Sequence, residues 1–410
     1  MTAAPQATCR ICAGPVRPFI DFGRQPVSDT FPRPEEAGNE VFFHLAAGAC
    51  RSCTMVQLVE EVPREKMFHA DYPYRSSMSS FMVKHFRSLA QDLLGTELTG
   101  PDPFLVEIGS NDGTMLRAVA EAGVRHLGVD PGVTGNADAR TAGVRVRTAY
   151  FEEETARAIA AEEGRADVIF SANTVSHLAY LDSVLRGVGA LLTEDGVLIL
   201  EDRYLGDILR RTAFDQIYDE HFYLFCARSV ATLGERFGLE LVDVRHLDVH
   251  GGSMRYHLAR AGRRRRSPAV EELLAQESAA ALTAPATLDA FTARADSACT
   301  ALVELLRRLR AEGRRVVGYG ATSKSATVIN YGGITRDLIP YVCDSTPVKQ
   351  GRLLPASHIP ILPPSAFGEP YPDYAVLFAW NHAEEIIAKE RAFRAAGGRW
   401  ILYVPEVHVV

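Results

Sequence analysis

The chain has 410 residues, 47% of them apolar and 23% charged, which is enough for two or three globular domains. Its formal net charge of −7 argues against general affinity for nucleic acid or an anionic membrane surface, both of which favour a basic chain. No apolar stretch is long enough to span a bilayer, and the start MTAAPQATCRIC lacks the basic flank and apolar core of a secretory signal, so a cytoplasmic protein with no nucleic-acid or membrane partner is expected.

Residues 1–70 are rich in Pro, Gly and aromatics, with short strand-like pieces such as Val41–Leu45. A core that small needs a staple. Of seven cysteines, four form two close pairs, Cys9/Cys12 and Cys50/Cys53, while Cys226, Cys299 and Cys343 are scattered. An odd count with two C-x-x-C pairs points to metal rather than disulfides. Each pair can grip one edge of a tetrahedral zinc ion through thiolates, and four such ligands leave no position open for catalysis. A redox dithiol would need only one pair. The reading is a zinc-binding module with a structural ion.

Residues 71–267 read as an α/β domain. Apolar spacing is helical from Phe81 to Leu94. Phe104–Ile108 is a short buried strand, and Thr114 opens a helix. Strands follow near 126–129, 144–148, 167–171 and 196–201, with helical sequence between them, the pattern of a parallel sheet with crossover helices. Two more strands, near 239–246 and 253–259, close the block without a helix between them. The run Arg263–Arg266 before Pro268 reads as a solvated linker. Residues 268–312 are Ala-, Leu- and Glu-rich and predict two connecting helices. From 313 to 410 the strand-like pieces RRVVGYG, YVCDS, DYAVLFAW and RWILYVPE predict a smaller Rossmann-like domain.

Besides the cysteine pairs, four motifs carry chemistry. Glu107-Ile108-Gly109-Ser110-Asn111-Asp112-Gly113 delivers a strand into a glycine turn before a helix, where backbone can approach a nucleoside closely. Asp130 ends the next strand, where an acidic side chain grips ribose hydroxyls. The spacing E-x-G-x-x-x-G resembles motif I of class I methyltransferases and is not the G-x-G-x-x-G of dinucleotide folds. Tyr218-Asp219-Glu220-His221-Phe222-Tyr223 follows the strand GVLILED, at the edge where strand C-termini open. A His beside a Glu there is either a general base or a helix-end residue that is merely hydrogen-bonded. An ionised Glu220 would make His221 a stronger base, titrating near its ordinary ~6.5. His250-Gly251-Gly252-Ser253 is either a ligand-holding turn or a plain hairpin. Gly318-Tyr319-Gly320-Ala321-Thr322-Ser323-Lys324 offers a helix start and a lysine to an anion such as a diphosphate, or is a structural turn.

Together, C-R-I-C…C-R-S-C, D-Y-P-Y-R-S-S-M-S (71–79), V-E-I-G-S-N-D-G, Y-D-E-H, H-G-G-S and G-Y-G-A-T-S-K, in that order, resemble the deoxysugar C-methyltransferases of bacterial antibiotic pathways. The resemblance spans essentially the whole chain. It implies a monomer with a zinc module, a class I S-adenosylmethionine domain and a C-terminal α/β domain. It also implies a dTDP-linked 4-keto-6-deoxy sugar as substrate, methylated at a ring carbon beside the ketone, usually carbon 3. The cofactor would lie against Glu107, Gly109, Asn111, Asp112, Gly113, Asp130 and Asn173. His221 would be the base, with Tyr218 and Glu220 orienting it or the sugar, and Tyr72 would face the substrate. Substrate contacts would come from His177, His250, Ser253 and Lys324. His177 closes an Asn-x-x-x-His run beginning at Asn173 and is a rival base.

Three other functions fit parts of the sequence. An oxygen or nitrogen methyltransferase would not need the Tyr218–His221 cluster. A zinc-ribbon binding protein would not bind S-adenosylmethionine. A nicotinamide oxidoreductase would use the C-terminal glycine turn.

Overall fold

The computed structural model describes residues 7–67 and 74–410, arranged around three sheets. The first is antiparallel. Strand Val16–Pro26 pairs with Phe42–Cys50, which pairs with Val56–Leu58. Its fourth strand comes from far along the chain: Tyr223–Leu224 pairs with Val56 and Gln57.

The second sheet has seven strands in the order Leu239–Leu247, Ser253–Arg260, Leu192–Arg203, Ala166–Ala172, Phe104–Ile108, Arg125–Asp130, Val146–Thr148. The last five run parallel, and Ser253–Arg260 joins Leu192–Arg203 antiparallel. Phe104–Ile108 and Ala166–Ala172 are apolar along nearly their whole length because helices cover both faces. Helices Ser80–Thr96 and Thr114–Glu121 bury Met82, Phe86, Leu89, Met115 and Leu116 against one face. Strand order reverses at Phe104–Ile108, since the chain winds to one side and then returns to the other. A ligand crevice is expected at the C-terminal ends of the strands there.

The third sheet has the order Ile361–Leu362, Val342–Cys343, Val316–Tyr319, Tyr374–Leu377, Arg399–Leu402, His408–Val409, parallel except for the last pair. Helices Pro268–Ala279 and Pro285–Ala311 connect the second sheet to it. Each starts with proline in its first turn, where the missing N–H costs nothing. The longer helix buries Leu288, Phe291, Ala295, Leu302 and Leu306 along one face. It docks on the first sheet, with Phe291 edge-on to Phe19 at 6.3 Å and Nη2 of Arg17 donating to both carboxylate oxygens of Asp289 at 2.7 and 2.8 Å. The arginine run is neutralised: Arg263 pairs with Glu194, Arg264 with Glu97, and Arg266 with Glu240 and Glu271. Among the described residues, no helix is long and apolar enough to cross a membrane.

Candidate active site and metal centre

Cys9 and Cys12 lie in the turn before the first strand, Cys50 ends the second strand, and Cys53 lies in the turn after it. Sγ of Cys9 is 3.5 Å from Sγ of Cys53, Sγ of Cys12 is 3.5 Å from Sγ of Cys50, and all four sulfurs fall within 4.8 Å of one another. Zinc–thiolate bonds of ~2.3 Å in a tetrahedron set sulfurs about 3.8 Å apart, so the cluster fits zinc. The backbone N–H groups of Ile11 and Ser52 donate to Sγ of Cys9 and Cys50 at 3.4 and 3.3 Å, which suits thiolate charge.

The glycine turn stands at the topological reversal of the second sheet. Gly109 has φ +74°, and a Cβ there would fall 2.1 Å from Thr174 Oγ1, so no side chain is tolerated. Asp130 accepts from the N–H of Asn111 at 2.9 Å and of Gly132 at 2.7 Å, holding the turn onto the next strand. Asp112 accepts from Thr114 Oγ1 at 2.6 Å and from the N–H of Ser77 at 3.0 Å. Asn111 bonds the backbone of Tyr74 and Ser76, so the segment after the D-Y-P stretch lies across the turn. Tyr72 lies outside the described residues. Glu107 is buried, and its Oε2 has no hydrogen-bond partner. Burial, with Asp112, Asp130 and Glu201 nearby, holds its carboxyl well above the usual range. An acidic, partly unsatisfied crevice beside a tight turn fits a cationic ligand such as S-adenosylmethionine. Asn173, at φ +49°, donates its N–H to the Glu201 carbonyl at 2.8 Å and buries Oδ1 without a partner.

The turn Asn173–His177 links this crevice to the histidines. Thr174 presses on Gly109, and three residues later the His177 ring stacks on His221 at 5.3 Å and 25°. Tyr218 lies 4.0 Å from His221, ring centre to ring centre. Nδ1 of His221 is 2.5 Å from the Gln216 carbonyl, which can only accept, so Nδ1 carries the proton. Nε2 of His221 is buried with no hydrogen-bond partner and carries the lone pair. The loop is pinned from three directions. Asp219 accepts from the Ser28 N–H at 3.1 Å, and Leu58 N–H bonds the Phe222 carbonyl at 2.9 Å. Thr327 Oγ1 bonds the Ile217 carbonyl at 3.0 Å, and Gln216 Nε2 the His250 carbonyl at 3.1 Å.

One sequence expectation is corrected. His221 does not titrate near 6.5 beside an activating Glu220. Burial, then the Arg203 guanidinium and His177, hold it well below 6.5. Glu220 is buried, and its charge acts on Tyr218, whose hydroxyl burial pushes well above the usual phenol range. His177 is held low by burial and by Arg203. Both imidazoles are therefore neutral at working pH.

The remaining expected residues lie around this cluster. Ser253 is buried and spends its hydroxyl on the Val249 carbonyl at 3.1 Å. His250 has φ +53°, and a Cβ on the next residue, Gly251, would fall 2.5 Å from the Trp380 ring. Lys324 sits over that ring at 4.5 Å and bonds Asn381, with burial pushing its amine down to about 8 against the opposing pull of Asp215. Asp215 in turn accepts from Trp380 Nε1 at 2.6 Å and Tyr403 OH at 2.7 Å. The sequence reading missed Glu201, Asp202 and Arg203. Glu201 pairs with His85 at 2.7 Å and Arg255 at 2.6 Å. Asp202 accepts from Ser176 Oγ at 2.7 Å and so seats His177. The signal was present: GVLILEDR ends three charged residues at the C-terminal edge of a sheet strand, where ligands bind.

A class I sheet with an acidic glycine turn at its topological reversal, beside a four-cysteine zinc module, defines an S-adenosylmethionine-dependent methyltransferase. Family models agree: "Putative zinc binding domain" matches residues 9–68, "Methyltransferase domain" residues 80–244, and "C-methyltransferase C-terminal domain" residues 248–405. The C-methyltransferase NovU of Streptomyces niveus is 35% identical over 99% of this chain and 97% of its own length. The chain belongs to that C-methyltransferase family. A ubiquinone biosynthesis O-methyltransferase of Azorhizobium caulinodans is 30% identical over 34% of this chain and 54% of its own. A solved S-adenosylmethionine-dependent methyltransferase of Anabaena variabilis aligns with 42% of this chain and 84% of its own at 17% identity and TM-score 0.35.

Proposed function

We propose that this enzyme methylates a dTDP-linked 4-keto-6-deoxy sugar at ring carbon 3, through an enolate, in cytoplasmic antibiotic-sugar biosynthesis. The observation that supports this most is His221: a neutral, buried imidazole with a fixed tautomer and an unpartnered Nε2, one short turn from the cofactor crevice. Methylation at oxygen or nitrogen has a lone pair to hand, whereas methylation at carbon must first remove a proton. A ketone next to the C–H acidifies it, so that a positioned neutral imidazole can remove the proton.

S-adenosylmethionine, bound at Gly109–Gly113 with Glu107, Asn111, Asp112, Asp130 and Asn173 around it, supplies an electrophilic methyl group. His221 Nε2 takes the proton from carbon 3, and the C–H pair becomes the enolate double bond. Tyr218 and Glu220 hold the imidazole and the sugar in register. Tyr72 closes the substrate side, while His177, His250, Ser253 and Lys324 line the acceptor's approach. Zinc at Cys9, Cys12, Cys50 and Cys53 acts at a distance, by holding the sheet that receives Tyr223–Leu224 just after His221.

The test is incubation with methyl-labelled S-adenosylmethionine and a panel of dTDP-4-keto sugars in deuterated water. A label on carbon 3 is expected, with exchange of the ring hydrogen there. A label on oxygen or nitrogen without exchange would overturn the proposal.

A further inference from the structure

Arg203 is the last residue of the central strand Leu192–Arg203. Its neighbours in sequence bind the turns on either side: Asp202 holds Ser176, next to His177, and the Tyr204 N–H bonds the Gly252 carbonyl at 3.2 Å. Its partner across the sheet is Ser253. The strand end that carries Arg203 therefore stands between the His177 turn and the His250–Ser253 turn.

The guanidinium is also under-satisfied. The side chain is 13% exposed, and Nε and Nη1 are buried without a hydrogen-bond partner. Among the described residues, the carboxylate oxygen paired with it, on Asp202, is 3.9 Å from Nη1 and is already committed to Ser176. A buried guanidinium with donors unspent is costly unless an anion completes it. The charge reaches the base cluster: it adds to burial in holding His177 and His221 low, and it opposes the rise that burial imposes on Tyr218.

We infer that Arg203 is a catalytic residue that binds the acceptor's ketone oxygen and carries its negative charge in the enolate. This rests on the proposed carbon-acid chemistry. When His221 removes the proton, the C–H pair forms the carbon–carbon double bond and the carbonyl π pair moves to oxygen, where the guanidinium receives it. When the carbon attacks the methyl group, the oxygen pair returns to the carbonyl, the C–C bond forms, and the C–S pair leaves with sulfur. The ketone carbon is bonded to the carbon that loses its proton. The group that stabilises its oxygen must therefore sit near the base, and Arg203 follows Asp202, which holds the turn that stacks His177 on His221. The planar fork of donors suits an sp² oxygen, and its pre-set position means nothing must reorganise as charge develops.

The experiment compares wild type with Arg203→Gln and Arg203→Lys, using a dTDP-4-keto-6-deoxy sugar that the wild type methylates. In Arg203→Gln, kcat and the rate of ring-hydrogen exchange should both fall by roughly 10²–10³-fold, the usual loss for an oxyanion donor. Calorimetric affinities for S-adenosylhomocysteine and for dTDP alone should stay near wild type. Arg203→Lys, which keeps the charge without the fork, should recover part of the exchange. If the Gln variant fails to fold, shown by loss of zinc and of S-adenosylhomocysteine binding, the Lys variant decides by its kcat alone. Retained kcat with dTDP affinity and KM weakened by about tenfold or more would assign Arg203 to the diphosphate and overturn the inference. So would unchanged kcat and exchange in either folded variant. A wild type that never exchanges the ring hydrogen would overturn the carbon-acid reading itself, a distinct result.

Discussion

Replacing His221 with Asn removes the proposed base while sparing its setting. The asparagine amide can still donate to the Gln216 carbonyl that now holds Nδ1 at 2.5 Å, so the loop keeps its anchor. What is lost is the buried, unpartnered Nε2. A positioned base contributes roughly 10²–10⁴-fold to the rate, or about 2.7–5.4 kcal/mol at ~1.36 kcal/mol per decade. Single-turnover methyl transfer should slow by that factor, and deuterium wash-in at the ring carbon should vanish, while S-adenosylhomocysteine affinity holds. In the wild type, the imidazole must be neutral to accept the proton. Because burial and Arg203 hold it below 6.5, activity is kept above that lowered value and lost only as pH falls through it. The acidic limb of kcat/KM should therefore lie below 6.5. A His221→Asn enzyme near wild-type rate, with His177→Asn inactive, would transfer the role to the neighbouring ring.

Purified protein should contain about one zinc per chain, and the double change Cys9→Ser/Cys50→Ser should abolish it; full retention by elemental analysis would refute the four-cysteine assignment. Asp130→Ala should weaken S-adenosylhomocysteine binding by about 1.5–3 kcal/mol, the range for a charged hydrogen bond, and unchanged calorimetric affinity would move the cofactor elsewhere. Stability should respond to acid through His177, His221 and His250, each held by burial well below 6.5. Between that value and their lowered values the unfolded chain binds protons the native fold refuses, so stability is complete above it and falls as pH falls, by up to ~1.4 kcal/mol per pH unit per histidine. Burial raises Asp202 and Asp219 to about 6 and about 7, which acts in the opposite sense. The histidine contribution is therefore read as the difference in urea midpoint, at pH ~7.5 and ~5.5, between wild type and a His177→Asn/His221→Asn variant; equal pH dependence in both would refute it.

Much of this protein is written in local pattern. Strand Phe104–Ile108 and the glycine turn after it are legible because a short run of five residues, four of them apolar, leading into a glycine turn has few alternatives. The cysteine pairs are legible because thiolate spacing is dictated by metal geometry. The long helix Pro285–Ala311 shows its buried face at helical intervals. What one dimension does not carry is which distant segments share a surface. The two-residue strand Tyr223–Leu224 is too short to have a period, yet it completes the zinc module's sheet and ties that module to the base. The ionisation of His221 is not legible in sequence: adjacency suggests Glu220, whereas the packed structure buries the ring against a second imidazole and within reach of the Arg203 charge. Arg203 itself reads as an ordinary strand end. Only the tertiary packing around the strand end buries it and leaves Nε and Nη1 without partners, because desolvation depends on the whole packed surrounding rather than on chain neighbours.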